Sequence, residues 1–279
     1  MGMSECTHNC DTCSFECGSR ESNIQKLKLG EGSSIKKIIG VSSGKGGVGK
    51  SFVTSVLASS LSKKGFKVGI LDADILGPSI PKSFGIIDRQ IVANEKGLMV
   101  PKVSRTGIKI ISSNLLLEED TEPIIYRGAL ISGVLQQFYQ EVEWGDLDFL
   151  FIDMPPGTGD VPLTTYQMIP IDKVIIVTSP QSLVSMIVSK SINMASKMDI
   201  DILGVIENMS YLVCPTCETK IELFGHSDID KVVDENDTIL LSKIPLRVEY
   251  SKMVDEGMVE DIDIEEVDTV INKLSELIK

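Results

Sequence analysis

The sequence predicts an α/β fold, with a mostly parallel sheet flanked by helices on both faces and a short cysteine-rich arm ahead of it. Three observations lead there. Short β-branched runs recur along the chain with helical spacing between most of them, the pattern of strand–helix–strand units. Hydrophobic residues make up 42% of the chain and aromatics only 5%, a balance suited to buried parallel strands. A length of 279 residues is enough for one large α/β domain with a substantial core.

Taken in order, residues 1–34 are polar, rich in cysteine and end in Gly30-Glu31-Gly32-Ser33-Ser34, so they read as a small metal-binding arm and flexible linker. The domain proper is placed at 35–279. The apolar run 38–42 is the first strand, and 50–64 then carries Val53, Val56, Leu57 and Leu61 at helical spacing. Further strands are expected at 68–72, 108–112, 147–153, 173–178, 202–207 and 239–244. The last segment, 264–279, sets Val267, Val270, Ile271, Leu274, Leu277 and Ile278 on one helical face. Packing against the domain suits that face better than a membrane does, because Glu265, Glu266, Asp268 and Glu276 replace the basic flank a membrane helix uses.

A formal charge of −13 at pH 7 argues against a surface built to grip nucleic acid, since affinity for phosphate backbones comes from clustered Lys and Arg. The sequence shows no run of roughly 20 apolar residues and no apolar signal core, so a cytoplasmic protein is expected.

Ligands of parallel sheets gather at the carboxyl ends of strands. Three expected strands end there in Ser42-Ser43-Gly44, Asp72 and Asp153. The stretch Gly44-Lys45-Gly46-Gly47-Val48-Gly49-Lys50-Ser51 fits G-x-x-x-x-G-K-[ST], whose glycines turn backbone N–H groups inward around phosphates while the next helix aims its positive end at them. In that pattern Lys50 neutralises the β/γ-phosphates of ATP and Ser51 ligates Mg²⁺. Asp153, closing an apolar run, fits the acid that holds Mg²⁺, although a strand-end acid also serves as a helix cap. Asp72-Ala73-Asp74 offers a carboxylate for the attacking water, or simply solvated loop acids. Gly157-Thr158-Gly159-Asp160, after Pro155-Pro156, supplies a mobile loop beside Asp153.

The six cysteines fall into two groups. Cys6, Cys10, Cys13 and Cys17 give four thiolates within twelve residues, enough for an iron–sulfur cluster or zinc in one chain. Cys214-Pro215-Thr216-Cys217 is half a site: cluster, zinc and a redox dithiol all use this spacing, and a two-fold dimer brings four such thiols together. His8 and His226 read as bystanders.

The phosphate loop has a second lysine, Lys45, and so resembles the deviant Walker A ATPases, which include nitrogenase iron proteins and Min/Par positioning ATPases. Asp72-Ala73-Asp74-Ile75-Leu76-Gly77-Pro78-Ser79-Ile80-Pro81, Tyr126-Arg127-Gly128, Asp153 to Asp160 and Cys214 to Cys217 resemble the Mrp/ApbC branch of iron–sulfur carrier ATPases. The resemblance covers roughly residues 36 to 260. It implies a homodimer closed around ATP and Mg²⁺, with Lys45 reaching the partner's phosphates, Asp74 beside the attacking water and Asn208 against adenine. It also implies a [4Fe-4S] cluster bridged by Cys214 and Cys217 and passed to apo iron–sulfur proteins, with scaffold proteins as further partners and neither nucleic acid nor membrane. The catalytic residues are then Lys45, Lys50 and Asp74. The nucleotide-binding set is Gly44 to Ser51 with Phe52, Asp153 and Asn208. The chain departs from the family pattern at Ser182, His226-Ser227 and Arg247. An ATP-driven reductase resembling nitrogenase iron protein and a positioning ATPase are the competing functions.

Overall fold

The computed structural model describes residues 26–74, 79–88, 90–116, 128–181, 184–214, 216–225 and 227–278. The N-terminal cysteines Cys6, Cys10, Cys13 and Cys17 lie outside the described residues, as do His8, residues 75–78, Tyr126, Arg127, Ser182, Pro215 and His226.

Ten strands are described: β1 (Ser34–Ser42), β2 (Val68–Asp72), β3 (Lys102–Val103), β4 (Lys109–Ser112), β5 (Asp146–Asp153), β6 (Lys173–Thr178), β7 (Asp201–Glu207), β8 (Leu212–Val213), β9 (Lys220–Ile221) and β10 (Leu240–Lys243). The helices are α1 (Lys50–Lys63), α2 (Ile80–Ser83), α3 (Gly128–Gln140), α4 (Asp160–Met168), α5 (Val184–Lys197), α6 (Ile229–Glu235), α7 (Val248–Asp255) and α8 (Asp268–Glu276). Eight strands form one sheet in the order β10-β7-β6-β1-β5-β2-β4-β3, parallel except for the β3 edge, while β8 and β9 make a separate antiparallel hairpin. All seven expected strands are present.

The strands are apolar on both sides because both faces are covered. Along β5, Phe149 and Phe151 join α1 and α8 in one core, while Leu150 and Ile152 point oppositely into the core built with α3, α4 and α5. β6 divides likewise, with Ile175 and Val177 on the first face and Val174 and Ile176 on the second. The α1 positions Val53, Val56, Leu57 and Leu61 are buried, as their spacing predicts.

Two segments differ from expectation. Residues 26–33, assigned to the linker, lie against the domain: the Leu27 N–H donates to the Met168 carbonyl at 2.8 Å, and Leu27 and Leu29 pack on the core. The C-terminal helix begins with a 3-10 turn at Glu265–Val267 after an extended Ile264, and only then becomes α8. Its apolar face is buried through Val270, Ile271 and Leu274.

Sheet register positions the site. Val41 pairs with Asp153 across β1 and β5, and Asp72 pairs with Asp153 across β2 and β5. The three strands therefore end level, and the loops leaving them meet at one edge of the sheet.

Candidate nucleotide site and cysteine hairpin

β1 delivers the chain into the phosphate loop, which winds through Gly47 and Gly49, both at φ 78°, a region that favours glycine. Gly49 caps α1, and a Cβ there would fall 2.2 Å from Asn208 Nδ2, so neither the backbone nor the space admits a side chain. Nothing lies within 4 Å of a Cβ at Gly46 or Gly47, so the space beside these two glycines is open. No acid sits in the first turn of α1 to offset its positive end. The result is a cleft of about 320 Å³, lined by Gly46 to Phe52, Asp74 and Pro156 among others.

Charge is concentrated at its floor. Lys50 is buried with its Nζ 2.8 Å from Asp153 Oδ2 and 3.9 Å from Asp74 Oδ2. The Ser51 hydroxyl donates to Asp153 Oδ2 at 2.5 Å, and Thr54 Oγ1 reaches Asp153 Oδ1 at 2.8 Å. A hydroxyl and a carboxylate held together beside an open phosphate loop are hard oxygen donors of the kind Mg²⁺ takes, so the residues present fit that ion. Asp72 is fully buried, accepting from Ser112 Oγ at 3.0 Å and from the Asp74 N–H at 3.2 Å. Burial, reinforced by the charge of Asp153, pushes its carboxyl up to about 8 against the opposing pull of Lys50.

A second cleft of about 220 Å³ adjoins the first, walled by Gly49, Phe52, Asn208, Met209, residues 245–247 and Tyr250. Asn208 Nδ2 donates to the Val48 carbonyl at 2.9 Å, tying the end of β7 to the loop. The rings of Phe52 and Tyr250 stack at 5.9 Å, and the Arg247 guanidinium lies 5.8 Å from the Tyr250 ring centre. An apolar slot with aromatic walls and an amide at its mouth suits a nucleobase. The Lys45 ammonium donates to Gln181 Oε1 of its own chain. Gly157 N–H donates to the Ser43 carbonyl at 2.8 Å, joining the loop after β5 to the phosphate loop.

Cys214 and Cys217 stand at the turn of the β8–β9 hairpin, both unbridged, Cys214 half-buried and Cys217 exposed. The turn is closed by Cys214 N–H to the Thr219 carbonyl at 3.0 Å and Glu218 N–H to the Cys214 carbonyl at 2.9 Å. Hydrogen bonds from Thr219, then from Cys214, hold the Cys217 thiol below its ordinary range. Among the described residues no group of three or more His, Cys, Asp or Glu gathers into a metal site.

The structure thus brings Gly44 to Phe52, Asp74, Asp153 and Asn208 together and carries the cysteine pair on the segment after Asn208. Sequence reading missed Thr54, Gln181, Arg247 and Tyr250 as parts of the site. Thr54 sits one helical turn beyond Lys50, a spacing that would have signalled it; the others come from distant segments and had no local signal.

Fold and site together define a P-loop NTPase. The cell division ATPase MinD of Pyrococcus furiosus shares the fold at a TM-score of 0.61 and 20% identity, covering 87% of this chain and 98% of that one. The chain belongs to the NUBPL iron-transfer P-loop NTPase family, whose profile matches residues 34–278. Iron-sulfur cluster carrier proteins of Methanocaldococcus jannaschii and Methanococcus maripaludis are 45% and 41% identical to it, over 92% and 99% of this chain and 90% and 98% of their own lengths. A nucleotide-binding protein from Archaeoglobus fulgidus, solved in complex with ADP and with cobalt found in it, matches at a TM-score of 0.76 and 40% identity, covering 84% of this chain and 91% of that one. Among the described residues no helix is long and apolar enough to cross a membrane.

Proposed function

We propose that this chain is an ATP-dependent iron–sulfur cluster carrier that holds a [4Fe-4S] cargo between two copies of itself and passes it to apoproteins. The observation that carries this reading is the pairing, in one chain, of a complete phosphate-loop site with an exposed two-thiol hairpin that lacks further ligands among the described residues. The carrier names of relatives above 40% identity support it.

In this reading the N–H groups of residues 44–50 cradle the phosphates and Lys50 neutralises their charge. Ser51 and Asp153 would hold Mg²⁺, which when bound would supply charge to shield the negative charge developing on the phosphates. Asp74, which lines the cleft beside Lys50, orients the attacking water. The base sits between Asn208, Phe52 and Tyr250. Lys45 leaves Gln181 when a second copy closes on the nucleotide, so that hydrolysis depends on dimerisation. Two hairpins related by the two-fold axis then supply four thiolates to one cubane cluster. The segment that carries Cys6, Cys10, Cys13 and Cys17 binds metal ahead of the ATPase domain, on which residues 26–33 already pack. The acidic chain works in the cytoplasm, apart from nucleic acid and membrane.

Anaerobic reconstitution with iron and sulfide tests this on wild type and on the Cys214→Ser/Cys217→Ser double variant, reading visible absorption, bound iron, labile sulfide and oligomeric state. The variant is expected to lose about one [4Fe-4S] per dimer while the arm keeps its metal. Iron content unchanged by the double substitution sinks the carrier reading. A cluster that stays bound throughout ATP turnover in the presence of apoprotein points to a reductase instead.

A further inference from the structure

Past the end of β7 the chain does not leave the sheet freely. The Ile244 N–H donates to the Glu207 carbonyl at 2.8 Å, Ser210 N–H to the Ile244 carbonyl at 2.9 Å and Leu246 N–H to the Tyr211 carbonyl at 2.7 Å, and Leu212 and Leu246 form a parallel bridge. Residues 207–212 are thus zipped beside 244–246. Both strips wall the base cleft, through Asn208 and Met209 on one side and Pro245 and Leu246 on the other. Met209 holds φ 57°, a left-handed conformation uncommon for a methionine, at the point where the strip turns from the cleft toward the cysteines.

Tyr211 touches all three bodies that meet here. Its carbonyl accepts from the cleft wall at Leu246. Its hydroxyl donates to Glu266 Oε1 at 2.9 Å, in the 3-10 turn ahead of α8. Its ring lies 4.3 Å from the Lys220 ammonium, on the return strand of the hairpin. β8 and β9 have two residues each, and a hairpin so short does not fix its own orientation. Whatever it docks on sets where Cys214 and Cys217 point.

We propose that Tyr211 is the positioning residue that ties the Cys214–Cys217 hairpin to the nucleotide base cleft, so that filling the cleft changes the access of the two thiols. The inference rests on the proposed function only in taking ATP as the cleft's ligand. It places the coupling on the strip after β7, where a base entering beside Met209 moves a segment whose next anchor is Tyr211. Binding in the cleft and the state of the thiols are then linked.

The test uses the full-length, cluster-free chain with Mg²⁺ and a non-hydrolysable ATP analogue. Isotope-coded iodoacetamide labels the thiols, and mass spectrometry of the peptide carrying Cys214 and Cys217 gives their alkylation rates with and without the analogue. In wild type the analogue is expected to change the rate by about fivefold or more. Tyr211→Ala should bring the ratio to about one while the affinity for the analogue, read by calorimetry, stays within about twofold of wild type. Tyr211→Phe, which keeps the ring beneath Lys220, should restore most of the ratio. Should Tyr211→Ala fail to fold, Lys220→Met removes the hairpin's hold on the ring and is expected to lower the same ratio. A wild-type ratio of one with the analogue bound, or an undiminished ratio in the variants, overturns the inference while leaving the carrier reading standing. Failed reconstitution with the ratio intact counts against the carrier reading alone, and an analogue that does not bind overturns both.

Discussion

Lys50 neutralises a buried carboxylate before any phosphate arrives: it sits 2.8 Å from Asp153 and 3.9 Å from Asp74. Removing it strips the cleft of its buried cation, so Lys50→Ala is expected to reduce ATP hydrolysis by about a thousandfold or more, measured as phosphate release. Near-normal turnover in that variant would remove Lys50 from the chemistry. Asp72 gives a pH signature. Its folded-state carboxyl is raised to about 8 from 3.8, so folding favours the protonated form. The stability this brings is full below about pH 4 and is lost as pH rises through 8. The melting temperature of the nucleotide-free protein should therefore fall between about pH 5 and 9. Asp72→Asn keeps the shape of the protonated acid and should flatten that fall; an equal slope in both proteins would show that Asp72 ionises freely. The sequence marked Asp72 as a strand-end acid that offers a carboxylate to the attacking water or is simply solvated, and the structure buries it instead. Its burial arises from the level ends of β2 and β5, a fact of register that no local pattern displays.

The long strands were legible because each is a run of five to nine residues whose two faces both meet a core. The hairpin bearing the cysteines was not, since two-residue strands have no periodicity to read, and the same holds for β3. The packing of residues 26–33 was hidden by the glycines and serines at the end of that stretch. In the best-read element, Phe151 is fully buried in the core shared with α1 and α8. Phe151→Ala leaves a cavity there and should cost about 3–5 kcal/mol in urea unfolding. A loss below about 1 kcal/mol would mean that the α1 and α8 packing collapses into the space.

For the molecule as a whole, 40 acids against 27 Lys and Arg leave a self-repelling surface, and its exposed ion pairs, such as Lys36–Asp148, contribute little. Raising salt from about 20 to 300 mM shortens the screening length below about 10 Å and should raise the melting temperature by a few degrees. A fall would mean that ion pairs outweigh repulsion. The sheet order has a consequence in time as well. Among the described residues β1 is the first strand made, yet its neighbours are β5 and β6, beginning at Asp146 and Lys173. A growing chain that has already emerged as far as Ser51 carries every residue of the phosphate loop and nothing to hold it. At ordinary rates of synthesis, roughly five to twenty seconds pass before Asp153 is added and Lys50 gains its counter-charge. During that interval the nascent chain exposes β1 without its sheet neighbours, and the ability to bind nucleotide marks a chain that has been made past the middle of its length.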